Sequence, residues 1–259
     1  MVKKILSAVL AVITVLSASI VTVSAEDKFA YEVDSKFTDV SENDWFYEAV
    51  SKCEDIGLIA GYGDGTFGPN DNVTGEQVCL ISLRCLVSWW YPDDAPDTII
   101  GSGMSAAFGA SVLENAVRQA YVKDLLTLPS GPPPTWEGQG IRLGSFNDYK
   151  QDMYREEALS VFYRTYKLAD FSESVKKMND IRGFETVYIE NPNIPDYDEI
   201  VDWAKSDIYE AYKIGLANGY DATGAFKPKN DITRAEFCQI IYNSGIVEMM
   251  HGKRNGAFD

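Results

Sequence analysis

The sequence predicts a mainly α protein built from repeated helix–loop–helix units. Three observations carry that expectation. Apolar and small residues at 46, 49, 50, 53 and 56 recur at helical spacing, which puts them on one helix face. Thr74 with Gln77, and Thr233 with Glu236, are capping-box pairs set ahead of apolar runs. The same landmarks also return along the chain: Phe67, Phe146 and Phe226 stand 79 and 80 residues apart.

Taken in order, the chain opens with Lys3 and Lys4, an apolar run from Ile5 to Leu16, and Val23-Ser24-Ala25. This is the pattern of an export signal, residues 1–25, cleaved before Glu26. Ser7, Thr14, Ser17 and Ser19 interrupt the run, which is short for a stable membrane span. Residues 26–259 then divide into three units of roughly 80 residues. With 46% hydrophobic and 12% aromatic residues the chain has ample core material, which excludes global disorder. The 39 acidic against 23 basic side chains, net charge -16, argue against nucleic acid as the main partner. One histidine, His251, removes most triad, His-metal and imidazole acid–base chemistry.

The first unit, 26–86, holds a helix beginning near Trp45 and stopped by Gly57. Gly61 to Phe67 is turn chemistry, and Pro69 delays the next helix. That helix starts after Thr74 and buries Val78, Cys79, Ile81, Leu83, Cys85 and Leu86. The last unit, 171–246, repeats the landmarks as Trp203, Ala211, Gly215-Leu216-Ala217, Gly219-Tyr220, Phe226, Pro228 and Thr233-Arg234-Ala235-Glu236. Trp to Gly is twelve residues in both units, Gly to Tyr five, and Phe to Thr seven. A worn middle unit, 87–170, offers Val112, Ala116, Ala120, Asp124-Leu125-Leu126, Phe146 and Tyr154-Arg155-Glu156-Glu157. Residues 247–259 are expected to form a flexible tail. Two short helices cannot close a core alone, so the units must pack on one another.

This constellation resembles the S-layer homology (SLH) family, in residues 37–86, in 194–243 and weakly in 112–166. The resemblance implies three SLH-like repeats in a pseudo-threefold bundle. It also implies an exported, non-enzymatic protein held at the cell wall or S-layer surface by binding an anionic secondary cell-wall polysaccharide, often pyruvylated, in inter-repeat grooves. Carried over by position, the groove arginine falls on Arg155 and Arg234, while the first unit has Gly75 there. The early acid is Asp39 in the first unit and Asp196 or Asp198 in the last. The Trp role falls on Trp45 and Trp203, with only Val112 between them. The glycine loops supply Gly61, Tyr62, Asp64, Gly65 and Thr66, then Gly219 and Tyr220. No unit pairs Arg with every other feature, so one or two working grooves are expected. Insertions at about 87–111, 127–145 and 171–196 lengthen the repeats.

Each of these residues also has a plainer role. Capping alone explains Thr74, Thr233 and Glu236. An Arg in a first helical turn opposes the macrodipole, so Arg234 needs a partner: an anionic sugar or a neighbouring carboxylate. Trp45 and Trp203 suit core packing as well as sugar stacking. Trp89-Trp90-Tyr91 reads as a plug between units more than a carbohydrate strip, and Trp136 in its Pro-rich loop covers either a groove or the core. Asp64, Asp71 and Asp221 lack the ligand spacing of a calcium loop and suit turns; no metal or cofactor is implied. Cys53, Cys79, Cys85 and Cys238 read as small core residues, with Cys53–Cys79 or Cys53–Cys85 as candidate disulfides. The alternative function is a cell-envelope adaptor with decayed sugar grooves that recruits other surface-layer proteins; glycan hydrolysis is a distant third.

Overall fold

The computed structural model describes residues 29, 31–90, 150–182 and 188–257. The export segment, Tyr91, Val112, Ala116, Ala120, Asp124-Leu125-Leu126, Trp136, Phe146, the insertion at 127–145 and all but the start of that at 87–111 lie outside them. Among the described residues the fold is all helix and loop: α1 Tyr47–Asp55, α2 Gly75–Trp90, α3 Arg155–Leu168, α4 Phe171–Arg182, α5 Asp202–Lys213, α6 Arg234–Asn243 and α7 Ile246–Arg254, with a 3-10 turn at Tyr197–Glu199.

Local sequence accounts for the helix ends. Gly57 and Gly215 take positive φ of 79° and 75°, as the left-handed stop after a helix requires. The N–H of Leu58 then reaches back to Cys53 O and that of Leu216 to Ala211 O, both at 2.9 Å. At the starts of α2 and α6 the capping boxes form in full. Gln77 N donates to Thr74 Oγ1 while Thr74 N donates to Gln77 Oε1, and Thr233 and Glu236 repeat the exchange. Tyr154 takes the cap position of α3, and its N–H still finds Glu157 Oε2 at 3.0 Å.

Three of these starts meet in a closed ring. Val73 N donates to Ile232 O, Ile232 N to Met153 O, and Met153 N to Val73 O, at 2.9 to 3.0 Å. Antiparallel bridges flank the ring between Asn72 and Thr233, Thr74 and Asp152, and Tyr154 and Asp231. The first-turn N–H groups that a helix cannot satisfy internally are taken up by another unit's loop. Arg234 N and Ala235 N donate to Asp71 O and Pro69 O, and Arg155 N and Glu156 N donate to Asn230 O and Pro228 O.

The helices interleave around this ring. α1 packs on α6, α5 on α3, and α3 touches both α2 and α6. A first helix therefore rests on the second helix of a different unit. The core is continuous through Leu83, Leu86, Phe67, Phe162, Phe226 and Phe237, all fully buried, and Phe162 meets Phe237 edge to face at 6.0 Å. Trp89 lies half-buried between units, edge-on to Phe171 at 5.9 Å.

One expectation differs from the structure. Residues 247–254 are not a flexible tail: they belong to α7, which packs on α2, α4 and α6. Ile246, Val247, Met249 and Met250 form its buried face. Phe29 covers Gly252, where a Cβ would sit 2.1 Å from the ring, and Tyr31 stacks on His251 at 3.7 Å. The cysteines are the small core residues that the sequence suggests, and neither candidate disulfide is formed. All four are free and buried, and the neighbour of Cys53 is Cys238 across the α1–α6 contact, its O 4.0 Å from Cys53 Sγ. That contact with Cys238, together with burial, pushes the Cys53 thiol well up. No described helix is long and apolar enough to cross a membrane.

Interleaving makes stability a property of the whole. Phe237→Ala should lower unfolding free energy by about 3–5 kcal/mol in urea titration. A fragment of residues 26–90, deprived of α6 beneath α1, should show no cooperative transition by circular dichroism.

Candidate functional site

Two grooves lie where a glycine loop of one unit faces an arginine of another. The first, about 280 Å³, is walled by Ile59 to Tyr62 and Phe67, floored by Gln77, Leu80, Ile81 and Arg84 of α2, and closed by Arg234. The second, about 480 Å³, has Leu216 to Tyr220 as its loop, Glu236, Gln239, Ile240 and Asn243 of α6 as its floor, Arg155 as its cation and Trp45 at its rim. The floors occupy matching helix positions: Gln77 and Glu236 both lie three residues after the cap, and Arg84 and Asn243 both lie ten after it. Arg84 Nη1 donates to Leu58 O and Asn243 Nδ2 donates to Leu216 O, so the same bond holds both loops.

The glycine loops are held by acids at their bases. Asp39 accepts the N–H groups of Phe67 and Gly68 at 2.7 and 2.8 Å. Asp196 accepts those of Phe226 and Lys227 at 2.7 and 2.6 Å. Geometry thus settles which acid of the last unit matches Asp39: it is Asp196, whereas Asp198 sits exposed in the 3-10 turn. Burial works against the Asp39 charge, yet the two backbone N–H donors hold its carboxyl below the usual carboxylate range. Within the loops, Asp64 accepts from Thr66 N and Oγ1, and Asp221 accepts from Thr223 N and Oγ1. Both are turn-forming roles. Gly61 has no room for a side chain, since a Cβ there would lie 2.4 Å from Thr66 O. Gly219 is similarly pressed against Gly224.

The arginines reach back over these loops in the same way. Arg234 Nε donates to Phe67 O at 2.8 Å and Nη2 to Ala60 O at 2.7 Å. Its guanidinium lies over the rings of Tyr62 and Phe67 at 4.9 and 4.5 Å. Arg155 Nε donates to Phe226 O at 2.9 Å, with Tyr220 and Phe226 at 5.0 and 5.4 Å. There the likeness ends. Arg155 Nη1 is paired with Glu236 Oε2 at 2.9 Å, the two side chains only 6% and 13% exposed. Arg234 has no ion pair with any described residue; the Asp71 carboxylate accepts Tyr62 Oη at 2.8 Å, and its backbone O accepts Arg234 N.

The aromatic residues part company too. Trp45 is 64% exposed, braced edge-on by Phe46 at 5.3 Å, while Tyr62 and Tyr220 are 54% and 45% exposed at the loops. Trp203 lines neither groove; it is half-buried under Arg164 at 5.5 Å, and Arg164 in turn binds Asp207 at 2.7 Å. The pairing of Glu236 with Arg155, the floor residues Gln239, Asn243 and Arg84, and Asn218 of the loop are not singled out by the sequence. Their signal was present: 236, 239, 240 and 243 share one helix face, on which Gln239 stands where the first unit has Leu80 and Asn243 where it has Arg84, while Ile240 matches Ile81.

The S-layer homology domain model matches residues 36–79 and 193–238. The chain is 25% identical over 219 residues to an amylopullulanase of Thermoanaerobacterium thermosulfurigenes, covering 85% of this chain and 10% of that protein. It is 26% identical over 212 residues to the exoglucanase XynX of Acetivibrio thermocellus, covering 82% of this chain and 16% of that protein. It is 31% identical over 134 residues to the outer membrane protein SlpA of Thermus thermophilus, 48% of this chain and 12% of that protein. The chain thus spans well under a fifth of the length of these relatives.

Asp39→Ala should lower stability by about 1 kcal/mol at pH 7, since two charge-assisted bonds are lost at a site that solvent reaches. A depressed folded-state pKa contributes stability above the unfolded value, about 3.9, and that contribution is lost as pH falls through the folded value. Urea midpoints of variant and parent should therefore converge below about pH 4.

Proposed function

We propose that this chain, a protein of S-layer homology repeats, is exported and held at the cell surface by binding an anionic secondary cell-wall polysaccharide in its inter-repeat grooves. One observation carries the reading: Arg234 is presented in the first groove, backed by two carbonyl oxygens and two aromatic faces, and makes no ion pair with any described residue. The remaining edge of its guanidinium suits a sugar carboxylate. The apolar floor of Leu80 and Ile81 suits a methyl-bearing acid such as a pyruvyl ketal. Tyr62, with its ring exposed at the mouth, offers a face for a pyranose.

Binding rather than catalysis fits the comparisons. Two relatives bear the names of different enzymes and one that of an outer membrane protein. The stretch they share with this chain therefore follows no single reaction. Local charge also reconciles an acidic chain with an acidic polymer. The described residues lining the first groove include Arg234 and no Asp or Glu, whatever the net charge of -16 does at a distance.

Cosedimentation with cell-wall sacculi, with and without their attached polysaccharide, tests the reading. Arg234→Ala should weaken binding about tenfold or more, the scale of one lost charge-assisted contact. Retention on sacculi stripped of polysaccharide, or full binding by Arg234→Ala, overturns it.

A further inference from the structure

We infer that residues 77 and 236, at matching places in the two grooves, select ligand charge: Gln77 leaves the first groove open to a carboxylate, and Glu236 converts the second into a site for an uncharged sugar unit. The inference rests on the reading that the grooves bind cell-wall glycan, and it assigns them different parts of that glycan.

The two positions have one structural duty in common. Gln77 Oε1 accepts Thr74 N at 3.0 Å and Glu236 Oε2 accepts Thr233 N at 3.1 Å, so either side chain completes its capping box. They differ in what they do to the arginine that enters from the other unit. Glu236 Oε2 also accepts Arg155 Nη1 at 2.9 Å, in a place where both side chains are nearly enclosed. A carboxylate ligand there meets a guanidinium already neutralised, and a glutamate that repels it. Gln77 carries no charge, and Arg234 makes no ion pair with any described residue.

The rest of the second groove agrees with an uncharged occupant. Where the first groove has Leu80 and Arg84, the second has Gln239 and Asn243, bonded to each other at 2.8 Å. Asn218 is exposed at the loop. Side-chain amides offer both donors and acceptors, as sugar hydroxyls and acetamido groups require. Trp45 presents a large exposed ring at the rim against which the apolar face of a pyranose stacks. Hydrogen-bonding capacity and an aromatic platform are thus concentrated in the groove whose charge is cancelled.

The experiment is titration calorimetry of the full chain with polysaccharide released from the source cell wall, native or with its carboxyl groups reduced to alcohols. Gln77→Glu should lower affinity for native polymer about tenfold or more, as Arg234→Ala does, and leave the carboxyl-reduced polymer unaffected. Glu236→Gln keeps the cap in the form already present at Gln77, and should raise the ratio of native to reduced affinity. Trp45→Ala should weaken both polymers by the same factor. Should Glu236→Gln fail to fold by circular dichroism, Gln239→Leu replaces it, with reduced-polymer binding expected to fall and the native-to-reduced ratio to rise. Native binding unchanged by Gln77→Glu, a ratio unmoved by the α6 variant, or a Trp45→Ala effect confined to native polymer overturns the inference. If Arg234→Ala binds native polymer fully, or the unaltered chain binds neither polymer, the anchoring reading falls first. If Arg234→Ala is weakened while Gln77→Glu is not, only the selector role falls.

Discussion

Three backbone hydrogen bonds, linking Val73, Ile232 and Met153 head to tail, are the constraint on which the rest of this structure depends. A ring of that kind closes only when all three segments are present, and it brings the starts of α2, α3 and α6 together. Each start leaves donors that its own helix cannot satisfy, and the neighbouring unit's loop accepts them. Residue N1 of a helix in such a ring necessarily overlies another unit's glycine loop. That is why Arg155 and Arg234 reach carbonyls at Phe226 and Phe67, more than 70 residues away in sequence. The cost of a cation in a first turn is a few tenths of a kcal/mol and is offset by those carbonyls and the tyrosine and phenylalanine faces. Gly75 stands at the same place in α2, so the third position around the ring has no such cation.

The ring also explains why the loops are shaped as they are. A loop that must accept an arginine at its carbonyls cannot drift, and Asp39 and Asp196 fix both by gripping two successive N–H groups at the base. Gly61 and Gly219 allow the strands of each loop to approach more closely than any Cβ permits. Trp45 reaches the second groove only because α1 packs on α6 rather than on α2. Groove and core are consequently one construction: the packing that buries Phe237 also sets the distance from Trp45 to Arg155.

Features that act along the chain were legible in the sequence. Capping boxes, glycine stops and loop turns depend on neighbours within a few residues, and equal spacing in the first and last units exposed them. Features that act around the ring were not. Asp196 and Asp198 are equally acidic and nearly equally placed, and only the N–H groups of Phe226 and Lys227 choose between them. Glu236 reads as a cap because its cap partner is three residues away, while Arg155 is 81 residues away. The helix at 246–254 is not legible in its own sequence because Phe29 and Tyr31, from far away in the chain, pack on its Gly252 and His251. The nearest thiol to Cys53 likewise came from α6, not from its own unit.

Whether an acidic chain can hold an acidic polymer is then a question of distance. At physiological ionic strength exposed charges more than about 8 Å apart are largely screened from one another. The excess of carboxylates spread over the surface therefore contributes little inside a groove, and the side chains lining it decide. A single position on the floor has the reach to change the sign of that local field without disturbing the fold, provided its cap bond survives the change. Gln77 and Glu236 meet that condition, being the same length and accepting the same kind of N–H. Two grooves built on one plan can thus diverge in ligand charge through one side chain each, which is how a repeat protein gains a second specificity without a second fold.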